Sequence, residues 1–223
     1  MDNALILGSR MKDKLSATYE LVIENIGSDS DVKKRGTKLK TEVYKVGNIG
    51  HLCILDMNAM LGLMKMETVV FCPVNRDIPL INLDSVQLMR KDTLIVELYD
   101  TQITPYPQDL LNEFELLKKS DSDLADYVSE GKRWYDDILY PCSYHKTGTT
   151  VNRRFAVTAD KYIEAYIDQL NSAVVCDYNE KKTKIQDFAS KLLGNGGPAV
   201  NEIRKLFGDD FARRLVLQYM YGA

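Results

Sequence analysis

Between Thr41 and Tyr99, five short runs rich in β-branched and apolar residues follow one another: 41–46, 51–57, 64–72, 80–89 and 93–99. Turn-like breaks such as Gly47-Asn48 and Lys91-Asp92 separate them. A parallel crossover needs a dozen or more residues, so strands joined by such short breaks pair antiparallel. The middle of the chain therefore predicts one antiparallel sheet, and the flanking segments must supply what covers it.

Those flanks read as helices. Leu15, Tyr19, Val22 and Ile26 recur at three and four residues and predict an amphipathic helix in the first 26 residues, ended by the polar stretch 27–31. Beyond Pro105 and Pro107, Leu110, Leu111, Phe114 and Leu117 predict a second helix, and Tyr162, Ile163, Tyr166, Ile167 and Leu170 a third. The segment 135–144 between these two is apolar enough to contain one more strand. Near the end, Ile185, Phe188, Ala189 and Leu192 share a helical face. A Gly194-Asn195-Gly196-Gly197 break follows, with Pro198 suited to the first turn of a last helix carrying Val200, Ile203, Leu206 and Phe207. The expected architecture is α/β: a three-layer α/β/α sandwich with a central antiparallel sheet flanked by helices. With no repeat or linker to divide it, residues 1–223 are expected to form a single domain.

Several function classes are disfavoured. A formal net charge of −3 argues against a nucleic-acid binder, which draws its affinity from clustered cations. No apolar run approaches the roughly 20 residues of a membrane span, and the first 14 residues lack a cleavable leader, so a cytosolic protein without a membrane partner is expected. Cys53, Cys72, Cys142 and Cys176 are scattered, and only His51 and His145 offer imidazole, so no metal site is expected. Cys53, Cys72 and Cys176 lie in apolar surroundings and read as buried hydrophobes. Lys33-Lys34-Arg35 with Lys38 and Lys40 is the densest basic cluster and the best candidate for docking an acidic partner. Glycine-rich phosphate or dinucleotide loops, G-x-S-x-G and H-E-x-x-H are all absent.

Three segments, in order, carry a resemblance. Val69-Val70-Phe71-Cys72-Pro73-Val74-Asn75-Arg76-Asp77-Ile78-Pro79-Leu80-Ile81-Asn82-Leu83-Asp84 has the form of a strand, a Phe-Pro turn and a second strand ending on aspartate. Trp134-Tyr135-Asp136-Asp137-Ile138-Leu139-Tyr140 runs on to Lys146. Gly196-Gly197-Pro198-Ala199-Val200 is followed by Leu206-Phe207-Gly208-Asp209-Asp210-Phe211-Ala212. Together, over about two thirds of the chain, they resemble landmarks of the ferredoxin-dependent bilin reductases, with one residue fewer in the first loop.

The resemblance implies reduction of a linear tetrapyrrole, such as biliverdin, by single electrons from reduced ferredoxin, each coupled to a proton, with no bound cofactor. It makes Asp84 the proton donor, a role burial favours by raising a carboxyl pKa. It sets Asp56 where phycocyanobilin-forming members have a glutamate, and Thr68 or Glu67 where they have a histidine. Threonine cannot exchange a proton near neutral pH as imidazole does. Lys146 falls where the family has an arginine for a bilin propionate. The family's second acid falls near Gly197, with Asn195 close by as a substrate contact. Trp134 reads as a core anchor and His145 as a surface or rim residue. Two alternatives stand beside this one: a bilin carrier or scavenger that has lost the reductase histidine and second acid, and a member of the superfamily acting on another substrate.

Overall fold

The computed structural model describes residues 6–128 and 133–222. A helix α1 (Leu7–Ser16) precedes strands β1 (Leu21–Ile23), β2 (Asp31–Lys34), β3 (Thr37–Val46), β4 (Gly50–Ala59), β5 (Met64–Pro73), β6 (Leu80–Leu88) and β7 (Lys91–Tyr99). Then come α2 (Gln108–Lys119), β8 (Ala125–Asp126), β9 (Tyr144–Thr149) and α3 (Asn152–Ser172). The chain closes with α4 (Tyr178–Asn195), α5 (Pro198–Phe207), α6 (Asp209–Arg213) and a π-helical stretch, Arg214–Met220. The strands make one nine-stranded sheet in the order β1-β3-β4-β5-β6-β7-β9-β8, with β2 also on β3. Every pairing is antiparallel.

Because successive side chains of a strand point to opposite faces, the sheet has two separate cores. Leu52, Ile54, Val69, Phe71, Ile81, Leu83, Leu94 and Val96 share one face and pack against Leu7 and Met11 of α1, Phe114 of α2 and Phe155, Tyr162 and Tyr166 of α3. On the other face Val70, Cys72, Leu80 and Tyr99 meet Ile185, Phe188 and Leu192 of α4, Val200 of α5 and Val216. Leu39, Val43, Cys53 and Leu55 continue that face against Ile203, Phe211 and Leu215. Gly50 is needed where β4 meets β5: a Cβ there would lie 2.7 Å from the Phe71 ring and 2.8 Å from the Cys72 carbonyl.

The structure departs from the sequence expectations in three places. The first helix stops at Ser16, and Leu21-Val22-Ile23 pairs with Val46, Lys45 and Tyr44 as an edge strand. The helical spacing of Val22 and Ile26 is coincidental there, and the ladder on β3 decides. The strand expected in 135–144 starts only at Tyr144, after a 3-10 turn and one bridge from Leu139 to Tyr99. Pro141 lacks the N–H a ladder needs. Finally, the three buried thiols are Cys53, Cys72 and Cys142, whereas Cys176 is half-buried.

Candidate active site on the α4–α5 face

Strand register sets the site. Thr41, Leu55, Thr68, Asp84, Ile95 and His145 are successive partners across β3, β4, β5, β6, β7 and β9, and so form one row on the face covered by α4 and α5. Asn82 and Glu97, partners of one another, lie in the parallel row two residues along.

Asp84 is held by two donors. Thr68 donates through its hydroxyl to Oδ1, and Asn82 donates Nδ2–H to Oδ2 at 2.8 Å. Burial pushes the Asp84 carboxyl up to about 6 and the charge of Glu97 adds to this, while the bonds from Thr68 and Asn82 pull the other way. Glu97 has the opposite balance. Burial alone would raise it, yet His145 Nε2 and Arg133 Nη1, each 3.0 Å from Oε1, together with the Tyr99 hydroxyl, hold it below the usual carboxylate range. Two neighbouring acids are thus driven apart, one protonatable near neutrality and one kept ionised. That divergence is the arrangement expected where one carboxyl passes protons and the other supplies a fixed charge.

The cavity at Asp84 is about 100 Å³, lined by Thr68, Asn82, Glu97 and Tyr99 of the sheet and by Tyr135 just before the 3-10 turn at Asp136. Leu192, Val200 and Ile203 close it from the helices and Met220 and Tyr221 from the end of the chain. Arg133 lies 4.7 Å over the Tyr135 ring and also bonds Asp136, fixing the aromatic wall. Trp134 anchors the end of α4. Its indole N–H donates to the Gly196 carbonyl at 3.1 Å, and its ring meets Tyr135 and Phe188 at 5.4 and 5.7 Å.

Of the catalytic and substrate-contact residues expected from the sequence, Asp84 and Thr68 meet here. Asp56 and Lys146 share a row on the opposite face, through the partners Lys40, Asp56, Glu67, Ser85, Leu94 and Lys146. An offset of one residue sends a side chain to the wrong side, so Leu55 takes the place beside Thr68 and His145 the place expected of Lys146. Lys146 instead donates to the Leu124 carbonyl at 3.0 Å and pairs with Asp126 at 2.8 Å. Exposed Asp56 opens on a second cavity of about 400 Å³ with Lys40, Lys65 and Glu67. Glu67 accepts from the N–H groups of Leu7 and Gly8 at 2.6 and 2.9 Å, and burial pushes its carboxyl up to about 7. Asn195 is exposed at the end of α4, and Gly197 lines the Asp84 cavity in its stead.

Sequence reasoning passed over Glu97, Tyr99, Arg133 and Tyr135 and left His145 at the rim. A signal existed for two of them, since Glu97 and Tyr99 alternate along β7 as Asn82 and Asp84 do along β6.

No family model matches the chain, and no curated protein matches it in sequence. Solved structures do match. Phytochromobilin synthase from tomato, crystallised in complex with biliverdin, superposes with a TM-score of 0.75 at 13% identity, over 97% of this chain and 82% of the other. The two proteins share a fold: mixed α/β, with a large antiparallel sheet and helices.

Proposed function

We propose that this chain, acting as one 1–223 unit with the layering of an α/β/α sandwich, reduces a linear tetrapyrrole at the Asp84 site. The observation that carries the reading is a protonatable aspartate, fixed by Thr68 and Asn82, in a cavity of the fold that tomato phytochromobilin synthase shares. The electrons would come singly from reduced ferredoxin. Each turnover consumes two electrons and two protons, and oxidises two ferredoxin molecules.

The residues divide the work. Asp84 gives its proton to the reacting pyrrole system and is recharged from solvent. With a pKa of about 6 it is protonated in roughly a tenth of molecules at pH 7, enough for repeated general-acid transfer. Glu97 keeps a negative charge beside it, which disfavours the aspartate anion and so keeps its proton available. Arg133 and His145 both bond Oε1 of Glu97 and fix its orientation. Tyr99, Tyr135 and Phe188 supply flat walls suited to a conjugated pigment.

A space of about 100 Å³ is smaller than the 300 Å³ or more typical of drug-sized ligand sites. Tetrapyrrole entry therefore requires the α4–α5 junction and the Met220-Tyr221 end to move off the sheet. The same volume supports a second reading, a protein of this fold acting on a smaller conjugated substrate. Anaerobic titration with biliverdin, then with reduced ferredoxin, tests both. The expected result is a shifted, structured pigment band on mixing and its bleaching on electron supply. Binding without bleaching would leave a carrier, and no spectral change with any linear tetrapyrrole would leave the smaller substrate. In Asp84→Asn, binding should persist while turnover falls by about two orders of magnitude or more.

A further inference from the structure

At one end of the sheet the β2–β3, β4–β5 and β6–β7 turns project side by side. Large apolar side chains occupy two of them. Leu61 is 97% exposed, Met89 66%, Met60 54%, Leu63 51% and Leu88 39%. The two tips are tied together: Met64 pairs with Leu88, and the Met89 N–H donates to the Leu63 carbonyl at 2.9 Å. Met60, Leu61 and Met89 all take left-handed backbone, with φ of 53°, 57° and 55°. Turns usually give that conformation to glycine or asparagine, because a Cβ is strained there. Three long apolar residues are thus held in costly turn conformations where they touch little of their own protein.

Cations flank these tips on both sides. Lys33, Lys34 and Arg35 stand at the β2–β3 turn, and Arg90 and Lys91 at the β6–β7 turn, all exposed. With five strand spacings from β2 to β7, the strip is roughly 25 Å long. Of the acids near it, Asp31 pairs with Lys38 at 3.0 Å and buried Asp92 accepts from the amides of Val151 and Asn152, while exposed Asp56 stands beside Lys40 in the same row as Asp31. On a chain of net charge −3, this end is locally basic.

We infer that this end of the sheet docks on an anionic lipid surface, with Leu61 and Met89 entering the interface and the flanking Lys and Arg meeting headgroups. Charge complementarity calls for an anionic partner. The apolar residues sit on convex turn tips, not on a flat patch, and none is aromatic, whereas protein-binding hot spots are enriched in Trp and Tyr. Apolar groups inserted between basic side chains are the recipe of interfacial anchoring. The inference is independent of the reaction at Asp84 and concerns adsorption only, since no helix among the described residues is long and apolar enough to cross a membrane.

Co-sedimentation of the full chain with vesicles of phosphatidylcholine, with and without phosphatidylserine, tests it. Wild type should pellet with the serine-containing vesicles at low salt, release as salt rises, and ignore phosphatidylcholine alone. The variant Leu61→Ser/Met89→Ser should melt like wild type and bind these vesicles about tenfold or more weaker. Arg35→Glu/Arg90→Glu should not pellet. Wild type that ignores anionic vesicles, or a serine variant that pellets equally well, overturns the inference. So does a strip that serves only self-association, seen as a concentration-dependent elution volume that the serine variant abolishes without vesicle binding, or one that captures an acidic protein and no vesicles.

Discussion

The hydroxyl of Thr68 donates to Oδ1 of Asp84 across the β5–β6 ladder, where the two residues are direct partners. Threonine lowers the aspartate's pKa through this bond, but burial outweighs it and leaves the group near 6. A folded-state value above the ordinary aspartate value of 3.8 means that the native protein binds more protons than the unfolded chain between about 4 and 6, so this group's contribution to stability falls as pH rises through that window. Asp84→Asn should therefore gain on wild type in urea unfolding from pH 4 to pH 6, by on the order of 2–3 kcal/mol, and gain nothing further above pH 7. A constant difference across that range would mean that Asp84 titrates normally.

Glu97 should set the Asp84 titration. Its charge is one of the causes raising Asp84, so Glu97→Gln should move the Asp84 carboxyl below 6, followed by the carboxyl stretch in difference infrared spectra. The same variant leaves Arg133 and His145 facing a neutral amide and should lose on the order of 3 kcal/mol of stability, as expected for breaking a buried ion pair. An unmoved carboxyl band would separate the two acids.

Lys146 and His145 give opposite expectations. Lys146→Met removes the pair with exposed Asp126 and the bond to the Leu124 carbonyl, both on the far face, so on the proposed function pigment affinity should stay within about twofold of wild type. His145→Gln, on the Asp84 face, removes a charge that holds the Asp84 carboxyl down, so on the proposed function it should raise the pH at which pigment reduction falls off. Loss of affinity in Lys146→Met would reinstate the lysine as a propionate contact.

Lys181 fastens α4 over the site's far wall. It is wholly buried and donates to the carbonyls of Ile78 at 2.7 Å and Thr101 at 2.9 Å, with Asp77 at 3.9 Å. Burial lowers its pKa to about 8, so the unfolded chain binds more protons than the native one between about 8 and 10.5, and its contribution to stability rises with pH across that window. Lys181→Met leaves Asp77 and two carbonyls without the cation and should cost about 3–5 kcal/mol at pH 7 in chemical denaturation. A cost below 1 kcal/mol would mean that water replaces the ammonium.

The sequence alone determined the central strands, because alternation and short breaks leave antiparallel pairing as the sole option for 41–99. It also determined α2 to α5, whose apolar stripes need a sheet to cover, and it singled out Asp84 through the resemblance and as a charge inside an apolar strand. What only the tertiary structure decided was facing. Asp56 and Leu55, or His145 and Lys146, are neighbours in the chain, and a strand sends neighbours to opposite sides of the sheet. Which of each pair reaches Asp84 depends on a register set by turns and partners far away in the chain. The edge strand β1 escaped notice for the same reason, since three residues carry no pattern of their own and form a strand only where β3 offers them a ladder.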